Sequence, residues 1–411
     1  MITRRALLEA AGAGAAIAAT GAGFPNILEA EAAAAVQLTP GVPAGVSTVA
    51  GMAALPGKKP LIRLADRPPN YEAPLEYFRT AITPNDQFFV RYHLSDIPEK
   101  IDAATFKISL GGDGATGPSE LTLDDLKAMP AAEVVAVNQC SGNRRGLSKP
   151  HVPGVEWGYG AMGCARWKGA RLKDVLNKMG AKKETVEVLF GGADGPPIDT
   201  TPDFVKSIPF SKAMDDNTLI AYEMNGAPLP HFNGFPVRVI VPGWTGTYWM
   251  KHVNRIEALT QPLKNFWMTA AYRIPIGLFP SGNRFTSQEY APNTPITEMV
   301  VNSLISSHRD GDKVKHGKVV VSGVAWDGGY GIRTVQVSAD GGKSWSAATL
   351  GEDLGKYAFR MWTFELNAKR GKNTVMVNAT NKIGQSQVTE LLFNGVGYHN
   401  NVMQNITLNA A

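Results

Sequence analysis

The sequence predicts an α+β chain of two folded parts, a mixed α/β domain followed by an immunoglobulin-like β-sandwich, and three observations predict it. The 411 residues are 44% hydrophobic and 19% charged, enough for two cores and too apolar for a disordered chain. The 43 glycines and 27 prolines call for many turns and short strands, which argues against a helical bundle. The pattern also changes near residue 290. Before it, β-type runs alternate with helical signals; after it, strands of about seven residues follow one another between Gly/Asn/Asp turns.

Residues 1–33 read as a twin-arginine export signal. Arg4-Arg5 precede a bland apolar run from Ala10 to about Gly23, and Ala30-Glu31-Ala32 is a candidate cleavage site. That run is too short and Gly-rich to cross a bilayer, which takes roughly 20 apolar residues, so no membrane span is expected and the localisation is periplasmic. Such signals export folded proteins, which points to a cofactor inserted before transport. Residues 34–60, rich in Ala, Gly, Val and Pro without period, read as an N-terminal arm lying over a surface, with no chemistry of its own.

In residues 61–290, strand-like runs stand at Phe88 to Tyr92, Val134 to Val137, Val186 to Phe190 and Val237 to Val241. The spacing of Leu172, Val175, Leu176 and Met179, with Gly180 as the stop, predicts a helix from about Lys168 to Met179. A shorter one is capped by Thr122 and ends at Pro130. A Pro-punctuated connector, roughly Tyr272 to Pro295, leads into residues 291–411. There Lys318 to Trp326, Arg333 to Ser338, Met361 to Leu366 and Thr374 to Ala379 read as strands, Asp340-Gly341-Gly342 as a hairpin turn, and Trp326 and Trp345 as core.

The net charge of +5 comes from scattered residues with no Lys/Arg run or basic helix, so nucleic acid is not an expected partner. Two cysteines, Cys140 and Cys164, exclude a disulfide framework and a Cys-rich zinc or iron–sulfur site. Cys140 nevertheless stands out, at the end of a buried strand in Asn138-Gln139-Cys140-Ser141-Gly142-Asn143-Arg144-Arg145, beside two guanidiniums that favour a thiolate. Three uses are open: a nucleophile, a metal-bound thiolate, or a disulfide to Cys164. The seven histidines form no recognisable partner motif for a nucleophile. A soft metal ion would occupy the thiol, but with so few other thiols it must bring its remaining ligands with it.

Phe88-Phe89-Val90-Arg91-Tyr92-His93-Leu94 and Cys140-Ser141-Gly142-Asn143-Arg144-Arg145 together resemble the pterin-contacting strand and molybdenum-cysteine loop of the sulfite oxidase family of molybdopterin enzymes. Ala221-Tyr222-Glu223-Met224-Asn225-Gly226, Gly234-Phe235-Pro236-Val237-Arg238-Val239 and Ser338-Ala339-Asp340-Gly341-Gly342-Lys343 continue the likeness in order, over nearly the whole chain after the signal. It is nearest to the molybdenum-binding catalytic subunits of bacterial periplasmic sulfite:cytochrome c oxidoreductases.

The resemblance implies a molybdenum-molybdopterin cofactor with Cys140 as the metal ligand. It implies pterin or phosphate contacts from Phe89, Arg91, His93, Asp194, Arg238 and Lys251, and a substrate pocket of Arg91, Arg145, Trp157 and Tyr272. Arg144 is expected to be structural and Cys164 inert. Asn233 stands where much of the family has His, so either it or His231 would meet the pterin, and either Lys356 or Arg360 could add a third basic group to the pocket. The implied reaction is oxidation of sulfite to sulfate. The chain has no Cys-x-x-Cys-His haem attachment, so no haem of its own is expected and a separate c-type cytochrome is the implied acceptor. The β-sandwich implies a homodimer or heterodimer. The alternatives are a sulfane dehydrogenase of a thiosulfate-oxidising system and, from another class, a non-catalytic periplasmic immunoglobulin-like binding protein.

Overall fold

Val134 to Val137 lie inside a longer strand, Ala131–Gln139, whose second half is fully buried because it is covered on both faces. In the computed structural model, which describes residues 52–117, 119–275 and 293–411, this strand pairs antiparallel with Met162–Arg171 in unbroken register from Ala131↔Ala170 to Gln139↔Met162. Leu219–Met224 pairs with the far edge of Met162–Arg171, and Arg238–Ile240 in turn with Leu219–Met224. A second sheet runs in the order Val205–Pro209, Glu187–Gly192, Val253–Leu259, Lys107–Gly111, Ser119–Thr122, with one parallel pair, Val253–Leu259 beside Lys107–Gly111. The expected export signal and most of the expected arm lie outside the described residues.

The helices are short. Thr122 caps Leu123–Ala128 with a reciprocal box: its hydroxyl accepts from the Asp125 N–H at 3.1 Å, and the Asp125 carboxylate accepts from the Thr122 N–H at 2.9 Å. The other expected helix starts later than its periodicity predicts, at Leu172, and ends at Lys178. Lys168 to Arg171 remain strand because both edges of that strand are paired there, Gly169 facing Ala132 on one side and Ala221 on the other. A Cβ at Gly169 would sit 2.0 Å from the Ile220 carbonyl oxygen, so two backbones meet where no side chain fits. Gly169→Ala is therefore expected to destabilise the chain by about 2–4 kcal/mol, measured by urea unfolding. An unchanged midpoint would contradict this packing. The expected strand at Phe88 to Tyr92 shrinks to Val90–Arg91, since Phe88 turns inward onto Phe89 (ring centroids 5.5 Å apart) and Trp167 (5.8 Å).

The C-terminal part is a two-sheet sandwich. One sheet orders Asn302–Ile305, Gly317–Trp326, Arg360–Ala368, Thr349–Leu350; the other Lys313–Val314, Gln404–Ala410, Gly371–Asn381, Ile332–Ser338, Ser346–Ala347. Val321, Trp362, Val375, Val377 and Ile406 fill the space between them. In the turn after Ile332–Ser338 the Asp340 carboxylate accepts from the N–H groups of Lys343 and Ser344, while Gly341 and Gly342 take φ of 73° and 91°. Trp345, expected in the core, is half-buried and bonds the Gly342 carbonyl of this turn. Trp326 is fully buried, and its indole N–H donates to Gln139 Oε1 at 2.7 Å.

That bond is one of several by which the sandwich grips the strand leading to Cys140. The Val137 N–H donates to the Tyr357 carbonyl at 2.9 Å. Arg144, buried and at φ 68°, donates to the carbonyls of Val402 (2.8 Å) and Ser303 (2.7 Å). This is the structural role expected of it.

Candidate active site

The loop after Ala131–Gln139 is built from backbone hydrogen bonds: Cys140 N–H to Ala161 O at 2.9 Å, Asn143 N–H to Cys140 O at 3.0 Å and Arg145 N–H to Gly142 O at 2.9 Å. They hold Cys140, 8% exposed, at the wall of a cleft of about 620 Å³ counted with the solvent space at its mouth. Cys164 is buried elsewhere, its sulfur accepting from the Phe359 N–H at 3.5 Å and its thiol pushed up to about 12 by burial; both cysteines are free. The disulfide alternative is not what the fold adopts.

Of the ten residues singled out in the sequence, the fold brings Phe89, Arg91, His93, Cys140, Asp194, Arg238, Lys251 and Tyr272 into the walls of this cleft. Arg145 and Trp157 stand behind it. The Arg145 guanidinium packs against the backbone of Gly142, donates to the carbonyls of Val396 (2.8 Å) and Val155 (3.2 Å), and lies 5.3 Å from the Tyr398 ring. Trp157 is fully buried with its ring edge on Phe89 at 6.5 Å. Asn233 lines the cleft and His231 does not; the His231 ring instead faces His252 at 5.2 Å. Neither Lys356, whose ammonium covers the Tyr357 ring, nor Arg360, 3.6 Å from Asp353, reaches it. The C-terminal part contributes Tyr398 instead, stacked on Tyr272 at 5.6 Å.

Tyr272 adopts φ 59°, an uncommon conformation for an aromatic residue, held by the Ile296 N–H donating to its carbonyl at 2.8 Å. Its hydroxyl hydrogen-bonds His93 Nε2, and the His93 ring stacks flat on Phe204 at 3.6 Å. Burial raises the Tyr272 hydroxyl, against the opposing pull of Arg91 and Arg145. Burial, reinforced by Arg91, Lys251 and Lys206, holds His93 well below the usual imidazole range, so it is neutral at neutral pH.

The opposite end of the cleft is cationic. Arg238 is 5% exposed between the rings of Trp167 and Trp249 and donates to the carbonyls of Asn233 (2.9 Å) and Trp249 (3.0 Å); burial lowers it to about 9. Lys251 donates to the Arg91 carbonyl at 2.5 Å and is drawn well below its ordinary value by burial, which Asp194 opposes. Among the described residues Arg238 has no carboxylate partner within ion-pair distance. A buried cation without an acid is costly unless an anion arrives.

Three buried polar atoms on cleft residues, Ser141 Oγ, Thr247 Oγ1 and Arg238 Nε, have no hydrogen-bond partner among the described residues. Buried polar groups are normally satisfied, so these atoms point to a polar ligand in the cleft. A flat, polar ring system with an anionic ester at the Arg238 and Lys251 end and a thiolate-bound metal at the Cys140 end fits such walls. The sequence reading missed Ser141, Thr247, Trp249 and Tyr398. No neighbouring motif marks Tyr398, which the fold surrounds with the buried polar residues Asn394, Asn400 and Asn401.

The loop carrying Trp157 is pinned by a buried carboxylate. Glu72 accepts from the N–H groups of Gly158 and Gly160, both at 2.7 Å, and burial pushes it up from 4.5 to about 7. Between those two values the folded chain keeps a proton that the unfolded chain has released. The stability linked to Glu72 therefore falls as pH rises through that window and levels off above it. Glu72→Gln is expected to flatten this part of the stability profile in urea unfolding; equal slopes in both proteins would refute the assignment.

Residues 94–267 match the family described as oxidoreductase molybdopterin binding domain, and residues 293–411 the Mo-co oxidoreductase dimerisation domain. The chain is 33% identical over 361 residues to sulfite oxidase of Arabidopsis thaliana, covering 84% of this chain and 89% of that protein. It is 36% identical over 335 residues to mitochondrial sulfite oxidase of Homo sapiens, covering 78% of this chain and 60% of that one. The chain thus spans about 60% of the length of that mitochondrial relative. The sulfane dehydrogenase SoxCD of Paracoccus pantotrophus shares the fold, with a TM-score of 0.71 at 22% identity, covering 95% of this chain and 96% of that one. The 33% identity to the Arabidopsis thaliana sulfite oxidase along most of both chains, together with the two family matches in this chain, makes it a member of the sulfite oxidase family of molybdopterin oxidoreductases.

Proposed function

We propose that the chain oxidises sulfite to sulfate and passes the electrons one at a time to a c-type cytochrome in the periplasm. The observation that carries this reading is the placing of the Cys140 thiol on the wall of a cleft shared with Arg91 and Tyr272, with the Arg145 guanidinium close behind. When bound, the molybdenum-pterin group supplies two-electron oxygen-atom transfer. Cys140 would hold the metal; Phe89, Arg238, Lys251 and Asp194 would hold the pterin and its phosphate. Arg91 in the wall attracts the sulfite dianion as a charge-assisted donor, and Arg145 just behind the wall adds its charge to the pull. Tyr272, its hydroxyl tied to His93, orients the anion without adding charge, while Trp157 and Phe89 make the wall behind it rigid and dry.

Each sulfite takes up the oxygen of one water and releases two protons and two electrons, so two oxidised haems are consumed per sulfate formed. The C-terminal sandwich matches a dimerisation domain, and we extend the proposal to a dimer. Stopped-flow mixing of sulfite-reduced protein with oxidised cytochrome c at low and high salt tests the reading, with two haems reduced per sulfite expected and no turnover with NAD. Negligible haem reduction beside brisk oxygen consumption would make it an oxidase. Turnover only of sulfur carried on another protein would favour a sulfane dehydrogenase.

A further inference from the structure

Residues 52–60 were expected to carry no chemistry, yet they deliver a buried ammonium to Asn233, a residue of the cleft wall. Met52–Ala53 pairs with Leu61 and Ile62, and between them a tight turn closes where the Lys58 N–H donates to the Leu55 carbonyl at 2.9 Å, with Gly57 at φ 72°. The turn sends the two adjacent lysines opposite ways. Lys59 points outward, its side chain 53% exposed and 3.6 Å from Asp86. Lys58 points inward at 8% exposure, where its ammonium donates to the Asn85 carbonyl at 2.6 Å and to the carboxamide oxygen of Asn233.

Asn233 is part of the cleft wall. Its Nδ2 donates to the Phe89 carbonyl at 3.1 Å and its own carbonyl accepts from Arg238, so Lys58 and Arg238 converge on one residue. Among the described residues Lys58 has no carboxylate within ion-pair distance. Burial draws it down to about 7, with Asp86 opposing and Arg238 adding to the fall. Lys58, Arg238 and Lys251 are thus buried cations on this side of the cleft, with Asp86 acting on Lys58 and Asp194 on Lys251, and an arriving dianion would hold them in the charged form.

We infer that Lys58 is a positioning residue for the phosphate end of the pterin cofactor: it fixes the Asn233 carboxamide in the cleft wall and supplies from residue 58 the positive charge that a neutral Asn at 233 lacks. The inference rests on the reading of the cleft as the cofactor site. It makes the segment before Leu61 part of cofactor retention.

The test uses purified holoprotein and follows release of pterin, by the fluorescence of its oxidised form, together with molybdenum per chain, during dilution at several salt concentrations. Lys58→Gln keeps a donor for Asn233 and removes the charge. It is expected to release pterin about 10- to 100-fold faster, the range in which groups supporting a bound centre act, and with a weaker dependence on salt because one attractive charge has gone. Loss of packing alone would not change the salt dependence. Lys58→Arg should restore most of the retention, and the outward-facing Lys59→Gln should behave as wild type. Equal retention in wild type and Lys58→Gln overturns this inference alone. Wild-type chain that carries no pterin overturns the reading of the cleft, and this inference with it.

Discussion

Cys140→Ser is expected to fold and to lose sulfite turnover by a factor on the order of 10³ or more, the scale on which a single group at a reacting centre acts. The fold should survive because the loop is held by main-chain bonds, Cys140 N–H to Ala161 O and Asn143 N–H to Cys140 O, none of which involves the sulfur. The chemistry should not. A serine hydroxyl is far less acidic than a thiol and is a hard, weak donor for a metal that prefers thiolate. Cys164 offers no substitute, being buried, held up near 12 and bonded to Phe359. Molybdenum per chain and turnover should be measured on the same sample. Comparable turnover in Cys140→Ser would remove Cys140 from the centre, and with it the reading of this cleft as the reaction site.

Arg91→Gln and Arg145→Gln are each expected to lower kcat/KM for sulfite about 30- to 150-fold, chiefly through KM. Loss of one charge-assisted pair with a dianion costs about 2–3 kcal/mol, at roughly 1.4 kcal/mol per decade. The two should differ in what else they disturb. Arg145 also ties the loop to Val396 and Val155 and lies against Tyr398, so its replacement should lower the melting temperature as well. Arg91, anchored by Asn70 Oδ1 at 3.2 Å, belongs to the wall itself, and its loss should act on sulfite more than on stability. Arg145→Lys should recover part of the affinity but not the forked geometry. An unchanged kcat/KM in Arg91→Gln and Arg145→Gln would place the anion site elsewhere.

The α+β class, the two-part order and the family were legible in the sequence because they rest on local signals. Alternating strands, the Thr122 cap, the Asp340-Gly341-Gly342 turn and a thiol at the end of a buried strand are written in residues next to one another. What escaped depends on partners far along the chain. Lys168 to Arg171 carry a helical period but stay extended because strands at Ala131 and Leu219 claim both their edges. The cleft gathers residues from Phe88 to Tyr272, and Tyr398 and Lys58, from either end of the described chain, back its walls through Tyr272 and Asn233. Neither of those two has a neighbouring motif that marks it. Arg144 and Arg145, adjacent in sequence, are separated in role by a left-handed backbone turn that sends one guanidinium into the sandwich and leaves the other beside the cleft. The sequence by itself determined the residue types and the local chain path. Which side chains share one low-dielectric space was decided by tertiary packing, because burial and long-range pairing set both the position and the charge of a group, and neither is a property of its neighbours in the chain.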